Sequence, residues 1–255
     1  MTLVIAGNWK MHHGPGETRA FFEAFRPPVG PPEARVLIFP PTLSLASALE
    51  ARSEGSVVEV GVQNIHPEPS GAFTGEISAE MAAEAGATLV LVGHSERRHI
   101  FGETNDEART KVEAAYRAGL TPVLCLGETL DERKAGRLEE VILGQLDAVA
   151  GADGLRERIG GGAPFMVAYE PVWAIGTGET ATPEDASSAH GILRSRLREL
   201  VGDEVADRTP ILYGGSVKPA NAASLLGSTD VDGVLVGGAS LEPSSFAAIA
   251  AAAAG

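Results

Sequence analysis

Short apolar runs recur along the chain at intervals that leave room for a helix between each pair. They are Leu3–Ala6, Val36–Phe39, Val57–Val62, Leu89–Val92, Val123–Leu126, Phe165–Tyr169, Ile211–Tyr213 and Val234–Val236. Continuous rather than alternating hydrophobicity predicts strands covered on both faces, as in a parallel sheet. The third run is the weakest, because Glu59 and Gly61 interrupt it. Helical periodicity fills the intervals. From Asn105 to Gly119 the apolar positions Ala108, Val112, Ala115 and Tyr116 share a face, and the closing glycine suits the position after a helix end. Thr182-Pro183-Glu184-Asp185 predicts a cap, a proline in the first turn and acids near the positive end of the helix dipole. Ala189, Ile192, Leu193, Leu197 and Leu200 follow as its apolar stripe. A shorter helix is expected near Ser44 to Glu54.

Eight strands alternating with helices predict a closed parallel (β/α)8 barrel, with a doubly wound open sheet as the competing arrangement. Barrels of this kind use about 250 residues as one domain. With no linker or polar tract at which to divide it, residues 1–255 read as a single domain. No repeat of solenoid length is visible.

Residues that follow the strands change the picture from fold to chemistry. The strands run into Asn8-Trp9-Lys10, Gln63-Asn64, Gly93-His94-Ser95-Glu96, Gly127-Glu128, Glu170-Pro171, Gly214-Gly215-Ser216 and Gly237-Gly238. In a barrel these ends converge on one face, where polar and ionisable side chains form the site. A single Gly-Gly pair reads as an ordinary tight turn. Two such pairs, after strands seven and eight, read as a phosphate site, where backbone N–H groups approach an anion closely.

Lys10 is either a solvated lysine, a cation that neutralises an anionic substrate and supports an oxyanion, or a Schiff-base former. His94 is either a buried histidine satisfied by backbone or a catalytic one. A helix starting just after it would lower its pKa and keep the imidazole neutral. Glu170 is either a turn cap or a general base. The loop behind it, Pro171 to Gly178, is apolar in the middle and glycine-rich at the end, the composition of a closing lid. His12, His13, His66, His99 and His190 read as surface or packing residues. No two histidines have metal-ligand spacing, so neither metal nor cofactor is expected.

The formal net charge is −14, which opposes nucleic acid and anionic membranes as partners. It also requires any phosphate site to be built locally. The one cysteine, Cys125, cannot form an intrachain disulfide, which fits a reducing compartment. The N-terminal residues lack the features of a signal peptide, and the Ala247–Ala254 tail is too short to span a bilayer, so a cytoplasmic protein is expected.

Taken together, Gly7-Asn8-Trp9-Lys10-Met11, Gly71 to Ser78, Gly93 to Arg98, Ala168 to Gly178, Tyr213 to Val217 and Val236 to Ser240 closely resemble the triosephosphate isomerase family, in family order and from end to end. The resemblance implies interconversion of dihydroxyacetone phosphate and D-glyceraldehyde 3-phosphate, a step of glycolysis and gluconeogenesis. It implies Glu170 as the base, with His94, Lys10 and Asn8 stabilising an enediolate. Backbone groups around Gly176, Ser216, Gly237 and Gly238 are implied as the phosphate cradle.

The resemblance also points to Glu96 and Thr74 beside the site, to Cys125 and Glu128 at the fifth strand, and to Trp173 as a lid residue that changes partners. It suggests Tyr213 as part of the latch, and a homodimer joined through the Gln63–Glu76 loop. Met11-His12-His13-Gly14 and the proline-rich Pro27–Pro32 depart from the family pattern. Read without the family, the residues specify only a small phosphorylated carbonyl substrate. A phosphosugar aldolase, a metal-dependent epimerase or an inactive phosphosugar-binding protein would share the glycine loops.

Overall fold

The computed structural model describes residues 2–27, 34–52, 58–175 and 181–254. All eight expected strands form: β1 (Val4–Asn8), β2 (Arg35–Phe39), β3 (Val58–Val62), β4 (Leu89–Val92), β5 (Thr121–Leu126), β6 (Met166–Tyr169), β7 (Ile211–Tyr213) and β8 (Gly233–Val236). Each pairs in parallel with the next, and β8 pairs with β1, with Val4 opposite both Arg35 and Gly233. That last pairing closes the sheet and eliminates the open doubly wound arrangement.

Successive side chains of a strand point to opposite faces, so each strand supplies two packing layers. One set, including Val4, Ala6, Leu37, Phe39, Leu91, Cys125 and Leu212, forms its own cluster within the barrel. The other set, including Ile5, Ile38, Val60, Val90, Leu124, Val167 and Val234, packs into a larger cluster with the apolar stripes of the surrounding helices. Both layers are dry, which is why the strands look uniformly apolar in sequence.

The two residues that weakened the third run have structural causes. A Cβ on Gly61 would lie 2.5 Å from the Phe39 ring, so this glycine makes room for the aromatic side chain in the barrel. Glu59 accepts both Nε and Nη2 of Arg35, at 2.9 and 3.1 Å, tying β3 to β2.

The helix signals translate directly. Asn105–Arg117 is capped by Thr104, whose hydroxyl accepts the Glu107 N–H while the Glu107 carboxylate accepts the Thr104 N–H. Gly119 follows its end with φ at +78°, the left-handed conformation that glycine adopts without cost. Pro183–Val201 begins at Thr182 with the same reciprocal capping through Asp185. Of its expected stripe, Ala189, Leu193 and Leu197 are buried and Ile192 and Leu200 are half-buried. His190 and Arg194 share that buried face, where apolar periodicity does not register them. The short second helix runs Leu45–Ala51, after a tight turn over Thr42–Ser44.

Candidate active site

Three strand ends bring the candidate catalytic groups together. β1 delivers Asn8, 5% exposed, and then Lys10, whose backbone is held at φ +50°. A non-glycine residue in that region is strained and must be fixed by its neighbours. Here the Lys10 N–H donates to Asn8 Oδ1 at 3.0 Å, and Gln63 donates to the Lys10 carbonyl and to that of Phe39, both at 2.8 Å. Trp9, fully buried between them, donates from Nε1 to the Ser240 carbonyl at 3.1 Å and so locks the end of β1 to the segment after β8. The result aims the Lys10 ammonium across the barrel mouth, where it meets Glu96 Oε1 at 2.7 Å.

β4 is followed by Gly93, which turns the chain with φ +71°. Its N–H donates to Glu103 at 2.9 Å and its carbonyl accepts Arg98 Nε at 2.7 Å. His94 caps the helix Ser95–Ile100, with Nδ1 accepting the Glu96 N–H at 3.2 Å. A backbone N–H can bond there only to an unprotonated nitrogen, so the proton of a neutral ring sits on Nε2. Nε2 faces Glu170 Oε1 at 2.9 Å.

β6 is followed by Glu170, 2% exposed, whose second oxygen accepts the Ser95 N–H at 2.8 Å. A Cβ on Gly214 would lie 2.8 Å from Glu170 Cγ, so the glycine after β7 leaves the volume in which this carboxylate can turn.

The expected lowering of the His94 pKa is reversed. Burial does act against the imidazolium, but the Glu170 carboxylate at Nε2 and Glu96 behind the ring outweigh it and hold the pKa above its ordinary value. The helix start was visible in the sequence. The contact with Glu170, 76 positions away in the chain by their residue numbers, was not.

One cavity of about 280 Å³ is lined by Asn8, Lys10, His94, Glu170, Ser216, Gly237 and Gly238, together with Ile175, Gly214, Gly215 and Leu235. Among the described residues, a Cβ on Gly238 would meet nothing within 4 Å and one on Gly237 only Lys10 Cε at 3.6 Å, so the backbone there lies open to the cavity. The predicted site residues thus share a single space, except Gly176, which lies outside the described residues along with the lid positions to Gly178. A second cavity of 260 Å³ opens beside it between Lys10, Gln63, Glu96 and Phe101.

The start of the predicted lid is described. Val172–Ala174 form one tight turn, and Trp173 donates to Glu128 Oε1 at 2.8 Å. That buried oxygen also accepts the Tyr169 hydroxyl at 3.1 Å, while Arg133 lies over the Trp173 ring at 4.7 Å. The Tyr213 hydroxyl is buried without a hydrogen-bond partner among the described residues. Of the two departures, His13 turns inward: its Nε2 lies 2.9 Å from the Leu241 carbonyl and its ring stands edge-on to Trp9. Of the proline-rich segment, only Pro27 is described.

Some supporting residues escaped the sequence reading. Glu103 receives Lys111 Nζ and Arg97 Nε, each at 2.6 Å, and Lys111 continues to Asn64 at 2.9 Å. Burial raises the Glu103 pKa, but the two cations outweigh it and the net direction is downward. This buried network braces the His94 turn against the end of β3. No local motif marks it, since its members come from separate loops and a helix.

A closed parallel barrel with a carboxylate, an imidazole and an ammonium at the carboxyl ends of its strands belongs to the (β/α)8 enzymes that use acid–base chemistry. Comparison with known proteins narrows the class. A family model described as triosephosphate isomerase matches residues 3–253. The chain is 50% identical to the triosephosphate isomerase of Solibacter usitatus over 247 residues, 96% of this chain and 97% of that one. It is 50% identical to that of Halorhodospira halophila over 254 residues, 98% of both chains. With that of Symbiobacterium thermophilum it shares 48% over 255 residues, 99% of this chain and 97% of the relative. The chain belongs to the triosephosphate isomerase family.

Proposed function

We propose that this protein interconverts dihydroxyacetone phosphate and D-glyceraldehyde 3-phosphate through an enediolate, within a single domain spanning residues 1–255, in the cytoplasm and without a cofactor. The observation that carries the reading is the convergence of Glu170, His94, Lys10 and Asn8 on one cavity that two glycine loops also line.

In this mechanism the substrate phosphate lies against the backbone N–H groups of Ser216, Gly237 and Gly238, with Gly176 closing over it. Glycines matter there because a side chain would hold the anion away from the amides. Glu170 leaves the Ser95 N–H, turns into the space beside Gly214, and removes a proton from the carbon next to the carbonyl. The electron pair moves onto the carbonyl oxygen. His94 Nε2–H and the Lys10 ammonium stabilise that oxyanion, each donor of this kind being worth about 10²–10³ in rate. Glu170 then returns the proton to the neighbouring carbon, and His94 carries a proton between the two oxygens.

The neutral form of His94 is the working form. Its Nδ1 accepts a backbone N–H, and its raised pKa rests chiefly on the Glu170 carboxylate, with a smaller part from Glu96. In this mechanism Glu170 turns away when substrate occupies the cavity. With the lid shut, water is excluded and the enediolate is kept from eliminating phosphate.

We assign the working unit as a homodimer joined through the Gln63–Glu76 loop. Met11, Phe101, Met81 and Phe73 are 93, 68, 56 and 42% exposed, more bare apolar surface around that loop than a monomer needs. Among the described residues no helix is long and apolar enough to cross a membrane.

The test is an isomerase assay in both directions, with chelator present and nothing added. Rapid conversion is expected. Folded protein that does not convert the two triose phosphates would sink the reading, and trapping of Lys10 by borohydride with substrate would favour an aldolase.

A further inference from the structure

Glu170 is held from behind as well as from the front. Its N–H donates to the Leu126 carbonyl at 2.7 Å, and the next residue, Gly127, packs main chain against main chain. A Cβ on Gly127 would lie 1.8 Å from the Glu170 carbonyl oxygen and 2.6 Å from its carbonyl carbon. Gly127 is therefore the surface on which the backbone of Glu170 rests.

β5 ends at Leu126, so Gly127 lies one residue beyond the strand. What holds it is Gln145, from the helix Leu138–Ala150 outside the barrel. Gln145 Oε1 accepts the Gly127 N–H at 2.8 Å, and Gln145 Nε2 donates to the Gly127 carbonyl at 3.2 Å. One side-chain amide thus binds both main-chain groups of a single glycine. Glycine has the widest backbone freedom of any residue, so its peptide orientation needs an outside constraint. Neither polar group of Gln145 is used in the chemistry described above.

We propose that Gln145 is a positioning residue for the catalytic carboxylate: by clamping Gly127 it sets the distance at which Glu170 meets the substrate carbon. The inference rests on the reading of Glu170 as the base. A misplacement of about 1 Å can cost about a hundredfold in rate, so the clamp controls a quantity to which proton transfer is sensitive.

Two variants test it. Gln145→Met keeps the length of the side chain and removes both hydrogen bonds. Gln145→Glu keeps an acceptor for the Gly127 N–H but turns a carboxylate oxygen against the Gly127 carbonyl. In both, kcat is expected to fall by about ten- to a hundredfold, with KM and inhibition by inorganic phosphate changing by less than about threefold. The primary deuterium isotope effect on kcat, measured with substrate labelled at the transferred position, is expected to rise as proton abstraction becomes the slow step. A purely structural role would not move that isotope effect.

The inference is overturned by kcat within about twofold of the parent in both variants. It is equally overturned by parallel losses of turnover and phosphate affinity with an unchanged isotope effect, or by failure of both variants to fold. Glu170→Gln, assayed alongside, separates the two levels. If Glu170→Gln stays active, the reading of Glu170 as base fails and this inference falls with it. If Glu170→Gln is inactive while both Gln145 variants work normally, only the inference about Gln145 fails.

Discussion

Glu170→Asp isolates the reach of the carboxylate from its charge. The substitution removes one methylene and draws the oxygens back by roughly 1.5 Å, one carbon–carbon bond length. Glu170 now stands 2.9 Å from His94 Nε2 and 2.8 Å from the Ser95 N–H, so both contacts open to over 4 Å unless the main chain follows. The main chain has little freedom to follow, because Gly127 packs against the Glu170 carbonyl on one side and the Gly214 N–H donates to the Tyr169 carbonyl at 2.7 Å on the other. Transfer across the longer gap is expected to lower kcat by about 10²–10³, or about 3–4 kcal/mol of barrier. In the proposed mechanism the phosphate is held by Ser216, Gly237 and Gly238 and not by the Glu170 carboxylate, so affinity for inorganic phosphate is expected to stay within about threefold. Steady-state assays in both directions and calorimetric titration with phosphate measure the two quantities. Equal losses of turnover and affinity would refute the reasoning and leave Glu170 as a structural residue.

Two other predictions follow from the same geometry. His190 is fully buried, with Nδ1 donating to the Asp230 carbonyl at 2.9 Å and Nε2 unpartnered among the described residues, and burial lowers its pKa to about 4. The unfolded chain therefore binds a proton that the folded protein refuses, and stability falls as pH drops from about 6.5 to about 4, by about 3 kcal/mol for this group. His190→Leu should flatten that part of the pH profile in urea melts, and parallel profiles for parent and variant would remove His190 as the cause. For assembly, light scattering should give twice the chain mass for the parent at micromolar concentration and a lower mass for Phe73→Asp. A monomeric parent would reject the dimer.

The barrel was legible because its physics is local and repeated. A strand dry on both faces must be apolar at every position, and a helix between sheet and water must be apolar on one stripe, so Leu89–Val92 and the 105–117 helix announce themselves from their own residues. Caps are local too, and Thr104 with Glu107 or Thr182 with Asp185 are read across three positions. That the candidate site residues would come together was legible, since a barrel gathers every strand end on one face. Asn8, Lys10, His94, Glu170, Ser216, Gly237 and Gly238 line one cavity, as that rule and the family pattern predict.

Tertiary structure decided what depends on two distant segments meeting. The upward shift of His94 comes from Glu170, whose approach no local pattern encodes, and it overrides the helix-start argument that pointed the other way. Gly61 looked like a flaw in a strand until Phe39 stood over it. Glu103, Lys111 and Asn64 form one buried network from three separate segments, and Gln145 looks like any polar residue on a helix until its amide closes on Gly127. Periodicity and propensity are carried by neighbours in the chain, so sequence determined the elements, their order and the face that bears the chemistry. Distances between charges and the packing of a backbone on a backbone arise only when the chain closes, so the protonation and aim of the site belonged to the fold.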